Sequence, residues 1–122
     1  MQAARQLGFH AEPPLHVDLR TPRSTYDSFL RAVLRRQPEA LWRAVHPDLG
    51  FYLRKLYVGV GDCVFFDRLA TEVAFEGRTA RLGSPEIAGR GVLTCPLMQD
   101  GFSVGVAGFQ VHEGGWVLSL LA

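Results

Sequence analysis

An α+β fold, with N-terminal helices packed on a strongly curved antiparallel sheet, is predicted by three features of the chain. From Tyr26 to Val73 apolar side chains recur at helical spacing, from Thr79 onward they alternate in pairs, and the change of period falls at Gly77. At 122 residues the chain is also near the commonest size for one domain, long enough to bury a core without disulfide or metal staples. Residues 1–20 read as an N-terminal arm and residues 21–122 as a single domain.

The arm is interrupted by Pro13-Pro14, and within it Leu15, Val17 and Leu19 alternate as an edge strand would. Thr21-Pro22 marks the first helix start. A Thr hydroxyl can accept from an orphan amide, and Pro at the first helical position loses no hydrogen bond. Tyr26, Phe29, Leu30, Val33 and Leu34 then form one apolar stripe, with Arg31, Arg35 and Arg36 opposite. Pro38 opens a second helix through Leu41, Trp42 and Val45, and Pro47 closes it. A third helix is expected over Asp48 to Tyr57, burying Leu49, Tyr52, Leu53 and Leu56, with Gly59 and Gly61 breaking the chain after it. Asp62 is placed to cap a fourth, whose apolar positions are Val64, Phe65, Leu69 and Val73.

Strands are predicted over 79–88, 91–98, 102–112 and 115–121, with hairpin turns at Asp100-Gly101 and Glu113-Gly114-Gly115. Gly83-Ser84-Pro85 and Pro96 cannot sit in a regular central ladder, so the sheet must bulge and bend. On the last strand Trp116, Leu118 and Leu120 are expected on one face, with Val117, Ser119 and Leu121 on the other.

Charge and composition narrow the partners. Thirteen basic and twelve acidic side chains leave a net +1, too little to draw the chain onto nucleic acid or an anionic membrane. No apolar run reaches the length of a spanning helix, and Met1 to Pro14 lacks the layout of a signal peptide, so a cytoplasmic address is expected. Cys63 and Cys95 lack CxxC spacing and read as buried free thiols. His10, His16, His46 and His112 stand far apart, so neither a metal nor another cofactor is expected.

Tyr26-Asp27-Ser28-Phe29-Leu30-Arg31-Ala32-Val33, then Gln37-Pro38-Glu39-Ala40-Leu41-Trp42, then Val45-His46-Pro47-Asp48-Leu49 resemble the opening of nuclear transport factor 2-like (SnoaL-like, cystatin-like α+β) domains. Glu113-Gly114-Gly115-Trp116-Val117-Leu118 is similar to that superfamily's last hairpin, and together these segments span residues 21–121. The resemblance implies a cone: helices across the concave face of a curved sheet, a cavity at the open end, and a sheet whose outer face often forms a dimer.

Enzymes of that superfamily place ionisable groups on inward-facing strand positions, as ketosteroid isomerase does. Here Val104, Val106 and Gly108 occupy one face of the third strand and Gly105, Ala107 and Phe109 the other, without a carboxylate. The isomerase's first-helix Tyr would fall near Phe29 or Leu30, whereas Tyr26 lies a turn earlier. For an enzyme of the isomerase, dehydratase or hydrolase kind, His46, Asp48 and Tyr26 are the candidates, although a pre-proline His and a helix-capping Asp explain two of them. Arg31, Arg35, Arg36 and Arg43 read as a solvated face, within reach of Asp27 and Glu39.

Gly105, Ala107 and Gly108 leave little volume on a central strand, which lets the sheet curl or leaves a pocket. Tyr26, Phe29, Trp42, Tyr52, Phe66, Val104 and Val106 are the residues placed to line it. The expectation is a non-catalytic module that binds a small apolar ligand or a protein partner and pairs as a homodimer through its exposed sheet face. A cavity enzyme and a ligand-free scaffold are the alternatives.

Overall fold

The structure, a computed structural model, describes residues 15–75 and 78–122. Helix α1 (Pro22–Leu34) begins where Thr21 Oγ1 accepts the Ser24 amide at 3.0 Å and Ser24 Oγ accepts the Thr21 amide at 3.1 Å. This reciprocal box satisfies two of the orphan donors that every helix start leaves. The buried face carries Thr25, Tyr26, Ser28, Phe29, Ala32 and Val33. Leu34, assigned to the stripe by spacing, is exposed because it rotates off this face.

Helix α2 (Pro38–Ala44) buries Ala40, Leu41 and Ala44. Val45 then turns extended and bridges in parallel to Leu118, while the His46 amide donates to the Leu118 carbonyl at 2.7 Å. Helix α3 (Pro47–Val60) runs on past Tyr57 and through Gly59, ending at Gly61 with φ 85°. Only Gly50 and Leu53 are buried along it. Tyr52 and Leu56, expected in the core, are exposed, because α3 meets the rest of the molecule along one narrow ridge. Helix α4 (Asp62–Val73) starts on the Gly61 carbonyl, which accepts the Phe65 amide at 3.0 Å. Asp62 lies inside the first turn and not at the cap. Phe65, Phe66, Leu69 and Val73 are buried and Val64 is exposed.

Strands β1 (Ala74–Phe75) and β2 (Arg78–Thr79) pair with each other, so extended backbone begins at Ala74, ahead of the first strand expected from residue 79, while Gly77 lies outside the described residues. The main sheet is antiparallel, in the order β3 (Arg81–Leu82), β5 (Val92–Gln99), β6 (Phe102–His112), β7 (Gly115–Leu121), with β4 (Glu86–Gly89) also on β5. The predicted first strand is thus split at Gly83-Ser84-Pro85. The Gly83 amide donates to the Pro96 carbonyl at 2.7 Å, so the side of Pro96 that has no amide faces this interruption. Register shifts at Ile87/Gly89, Leu97/Met98 and Gly108/Phe109 each bend the sheet, which curls into a half-barrel under the helices.

The last of these shifts leaves Ser119 without an opposite residue, since Gly108 pairs with Leu120 and Phe109 with Leu118. Side-chain alternation therefore skips one position. Trp116, Leu118 and Leu121 pack on the core, and Leu120, predicted to join them, is exposed. Both hairpins turn through two left-handed residues, Asp100-Gly101 at φ 53° and 82° and Glu113-Gly114 at 51° and 82°.

Phe29, Phe66, Phe109, Leu41 and Leu118 are the largest fully buried side chains. Cys95 is buried as expected, and Cys63, expected to be buried, is exposed on α4. Residues 15–20 form no strand; the expected edge pairing reduces to the Trp116 amide donating to the Leu19 carbonyl at 2.8 Å. Among the described residues no helix is long and apolar enough to cross a membrane.

Two glycines should respond in opposite directions. A Cβ on Gly105 would lie 2.5 Å from the Ala122 carbonyl oxygen, whereas one on Gly59 meets nothing within 4 Å. Gly105→Ala should cost about 1–3 kcal/mol through overpacking. Gly59→Ala should add about 0.5–1 kcal/mol through helix propensity. Denaturant unfolding of both variants reads the difference.

Candidate functional site

The Val45–Leu118 bridge holds the corner between α2 and α3 against the edge of β7. Beyond that edge the corner and the β6–β7 turn enclose an open concavity of about 700 Å³. Close approach at the corner depends on Gly50, where a Cβ would stand 3.3 Å from Val45 Cγ2. Val117 is buried at the floor; it pairs with Gln110 and points away from the core face that carries Phe109 and Leu118. Trp42, Phe51, Arg43 and Arg54 come from the helices, Arg20 from the segment before α1, and His112 and Glu113 from the hairpin.

The three guanidinium groups differ in what already holds them. Arg20 grips Asp18 through two hydrogen bonds, Nε to Oδ1 at 3.0 Å and Nη2 to Oδ2 at 2.8 Å. The same guanidinium, aided by the Arg20 amide, holds the Asp18 carboxyl well below the usual carboxylate range. Arg43 Nη2 donates to the Leu15 carbonyl at 3.0 Å, an uncharged acceptor, and among the described residues no carboxylate pairs with it. Arg54 stands over the Trp42 ring, 5.1 Å from its centroid. Trp42 is fixed in turn by edge contact with Tyr57 at 5.8 Å, so the indole face is a firm wall.

His46 caps α3: its Nδ1 accepts the Asp48 amide at 3.1 Å. The capping role predicted for Asp48 thus belongs to His46, and the Asp48 carboxylate stands exposed, 3.8 Å from Nδ1. With Nδ1 accepting a hydrogen bond from the backbone, the lone pair a general base would use there is occupied. His112 is a half-buried neighbour; its ring lies edge-on to His46 at 5.4 Å and its Nε2 is 3.4 Å from Glu113 Oε2. No group of three or more His, Cys, Asp or Glu side chains among the described residues is arranged to hold a metal ion.

Tyr26 does not join these groups. Its hydroxyl donates to the Ala80 carbonyl at 2.9 Å, and burial, with Asp27 adding a smaller effect, pushes the phenol above its ordinary value. The ring borders a separate groove of about 240 Å³ with Glu72, Leu97 and Val104. The enzyme candidates Tyr26, His46 and Asp48 are therefore not gathered in one cavity.

The residues expected to line a single pocket are also dispersed. Phe29 and Phe66 are solid core, Val106 is exposed on the sheet, and Tyr52 borders a third groove between α3 and α4. Only Trp42 reaches the large concavity. Among the arginines expected on a solvated face, Arg36 pairs with Asp67 on α4 and not with Asp27 or Glu39. Phe51, Arg54, His112 and Glu113 gave no local signal, because they meet only through the Val45–Leu118 contact. No family model, characterised protein or solved structure matches this chain.

Tyr26→Phe tests whether the phenol is structural. Loss of the bond to Ala80 should cost about 1 kcal/mol at neutral pH. Because burial raises the folded value above that of the unfolded chain, the phenol's contribution is full below the ordinary tyrosine value of 10.0 and declines as pH rises through it. The wild type should therefore lose stability above that pH more steeply than Tyr26→Phe, read by urea unfolding across the alkaline range.

Proposed function

We propose that the chain is a non-catalytic binding module of the nuclear transport factor 2-like type that takes a small ligand in the concavity beside Trp42. The ligand has a flat apolar body and one anionic group. The observation that carries this reading is the pairing of an aromatic wall, Trp42 and Phe51, with two guanidinium groups, Arg43 and Arg54, that have no carboxylate partner among the described residues.

The volume of about 700 Å³ is in the range of small-molecule sites. Guanidinium groups bind carboxylate and phosphate oxygens in a bidentate fork, and aromatic side chains pack against planar rings. A purely apolar ligand, one of the two kinds of partner expected from strand positions without ionisable groups, would leave the charges of Arg43 and Arg54 unused. Catalysis is the weaker reading, since the Tyr26 hydroxyl and the His46 Nδ1 are each engaged by backbone. The order of helices over a curled antiparallel sheet supports the superfamily likeness.

Titration with a panel of aromatic carboxylates, followed by amide chemical shifts and calorimetry, tests the proposal. Binding should centre on Trp42, and the neutral amide of the best carboxylate should bind more weakly. Arg54→Ala should weaken binding by about tenfold, the equivalent of losing one charge-assisted hydrogen bond, and Arg54→Lys by less. Shifts scattered over the surface, or an Arg54→Ala variant that binds as the wild type does, would overturn it.

A further inference from the structure

A second surface, independent of the Trp42 concavity, lies between α3 and α4. Leu53, Phe65 and Leu69 floor a groove of about 310 Å³ there, and Tyr52, Leu56 and Val60 rise along its α3 side. These three recur every fourth residue and are exposed at 60%, 41% and 37%, so α3 turns an apolar ridge to solvent in addition to its packed ridge. On the α4 side the groove is bordered by Arg68 and Glu72.

We propose that this groove is the interface of a two-fold homodimer, in which Arg68 of each copy pairs with Glu72 of the other. An isologous interface must be complementary to itself, so the same patch has to carry both partners of any ion pair across it. Arg68 and Glu72 meet that condition: opposite in sign, on one helix, about 6 Å apart along its axis at the helical rise. Among the described residues neither has an ion-pair partner within its own chain. Pairing with each other is the weaker arrangement, because Arg four residues before Glu opposes the helix dipole's preference. A two-fold axis passing between them exchanges the two positions and forms the pair twice, while Tyr52, Leu56 and Val60 of each copy enter the apolar groove of the other. A foreign amphipathic helix would require the apolar ridge but not both signs on one side of the groove. The packed unit is then a bundle of four helices, two from each copy.

Analytical ultracentrifugation of the full chain over a concentration series tests this, with circular dichroism confirming that each variant is folded. The wild type should show a reversible monomer–dimer equilibrium, and Leu56→Glu should be monomeric. Arg68→Glu and Glu72→Arg should each raise the dissociation constant about tenfold or more by setting like charges opposite, and the double swap should restore it. Leu120→Glu on the outer face of the sheet should leave the constant unchanged. A chain that stays monomeric throughout, a dimer abolished by Leu120→Glu and not by Leu56→Glu, or a double swap that fails to restore association would overturn the proposal.

Discussion

The backbone contact between Val45-His46 and Leu118 is the constraint on which the rest of the molecule depends. Without it the outer edge of β7 would present unpaired amides and carbonyls to solvent, an invitation to further strand pairing. With it, and with the Leu19 carbonyl accepting from Trp116, that edge is partly covered by the chain's own backbone. The same contact stops α2 one residue short of Val45, sends Leu118 into the core beside Phe109, and sets His46 where its ring caps α3. This pairing of extended backbone joins the helical layer to the sheet together with the Thr25 hydroxyl, which donates to the Trp116 carbonyl at 2.7 Å.

The concavity is a consequence of that join. A helix corner pinned to a strand edge cannot also follow the turn beyond it, and the space between α3 and Glu113-Gly114 stays open. Burial decides what chemistry is left in it. Tyr26, one of the three candidates for acid–base work, lies in the core and donates its proton to a carbonyl. Arg43 and Arg54 reach solvent and meet no carboxylate among the described residues. The proposed recognition role rests on that contrast, since a guanidinium binds anions well but does not exchange protons near neutrality.

Much of the fold was legible along the chain. Thr21-Pro22 and the period through Val33 specify α1, because capping and amphipathic spacing are local effects. Asp100-Gly101 and Glu113-Gly114 specify the two long hairpins, because few residues tolerate left-handed backbone there. Gly83-Ser84-Pro85 and Pro96 announce an interrupted, bent sheet, although not that the interruption on one strand would face the proline of the next. The site was far less legible. Trp42 was among the residues expected at a pocket, but Phe51, Arg54 and Glu113 carry no pattern of their own, and Tyr52 and Leu56 were assigned inward by a period that α3 shares between two ridges.

By itself the sequence determined which segments are helical and which turns close the two long hairpins, since each follows from neighbours a few residues apart. Tertiary structure alone decided which side of α3 and of the end of β7 is covered. The bulge at Ser119 turned Leu120 outward and Leu121 inward, and the Val45–Leu118 bridge brought residues of α2, α3 and the last hairpin around one space. Register shifts and long-range backbone pairs depend on the partner strand, which no window along the chain contains.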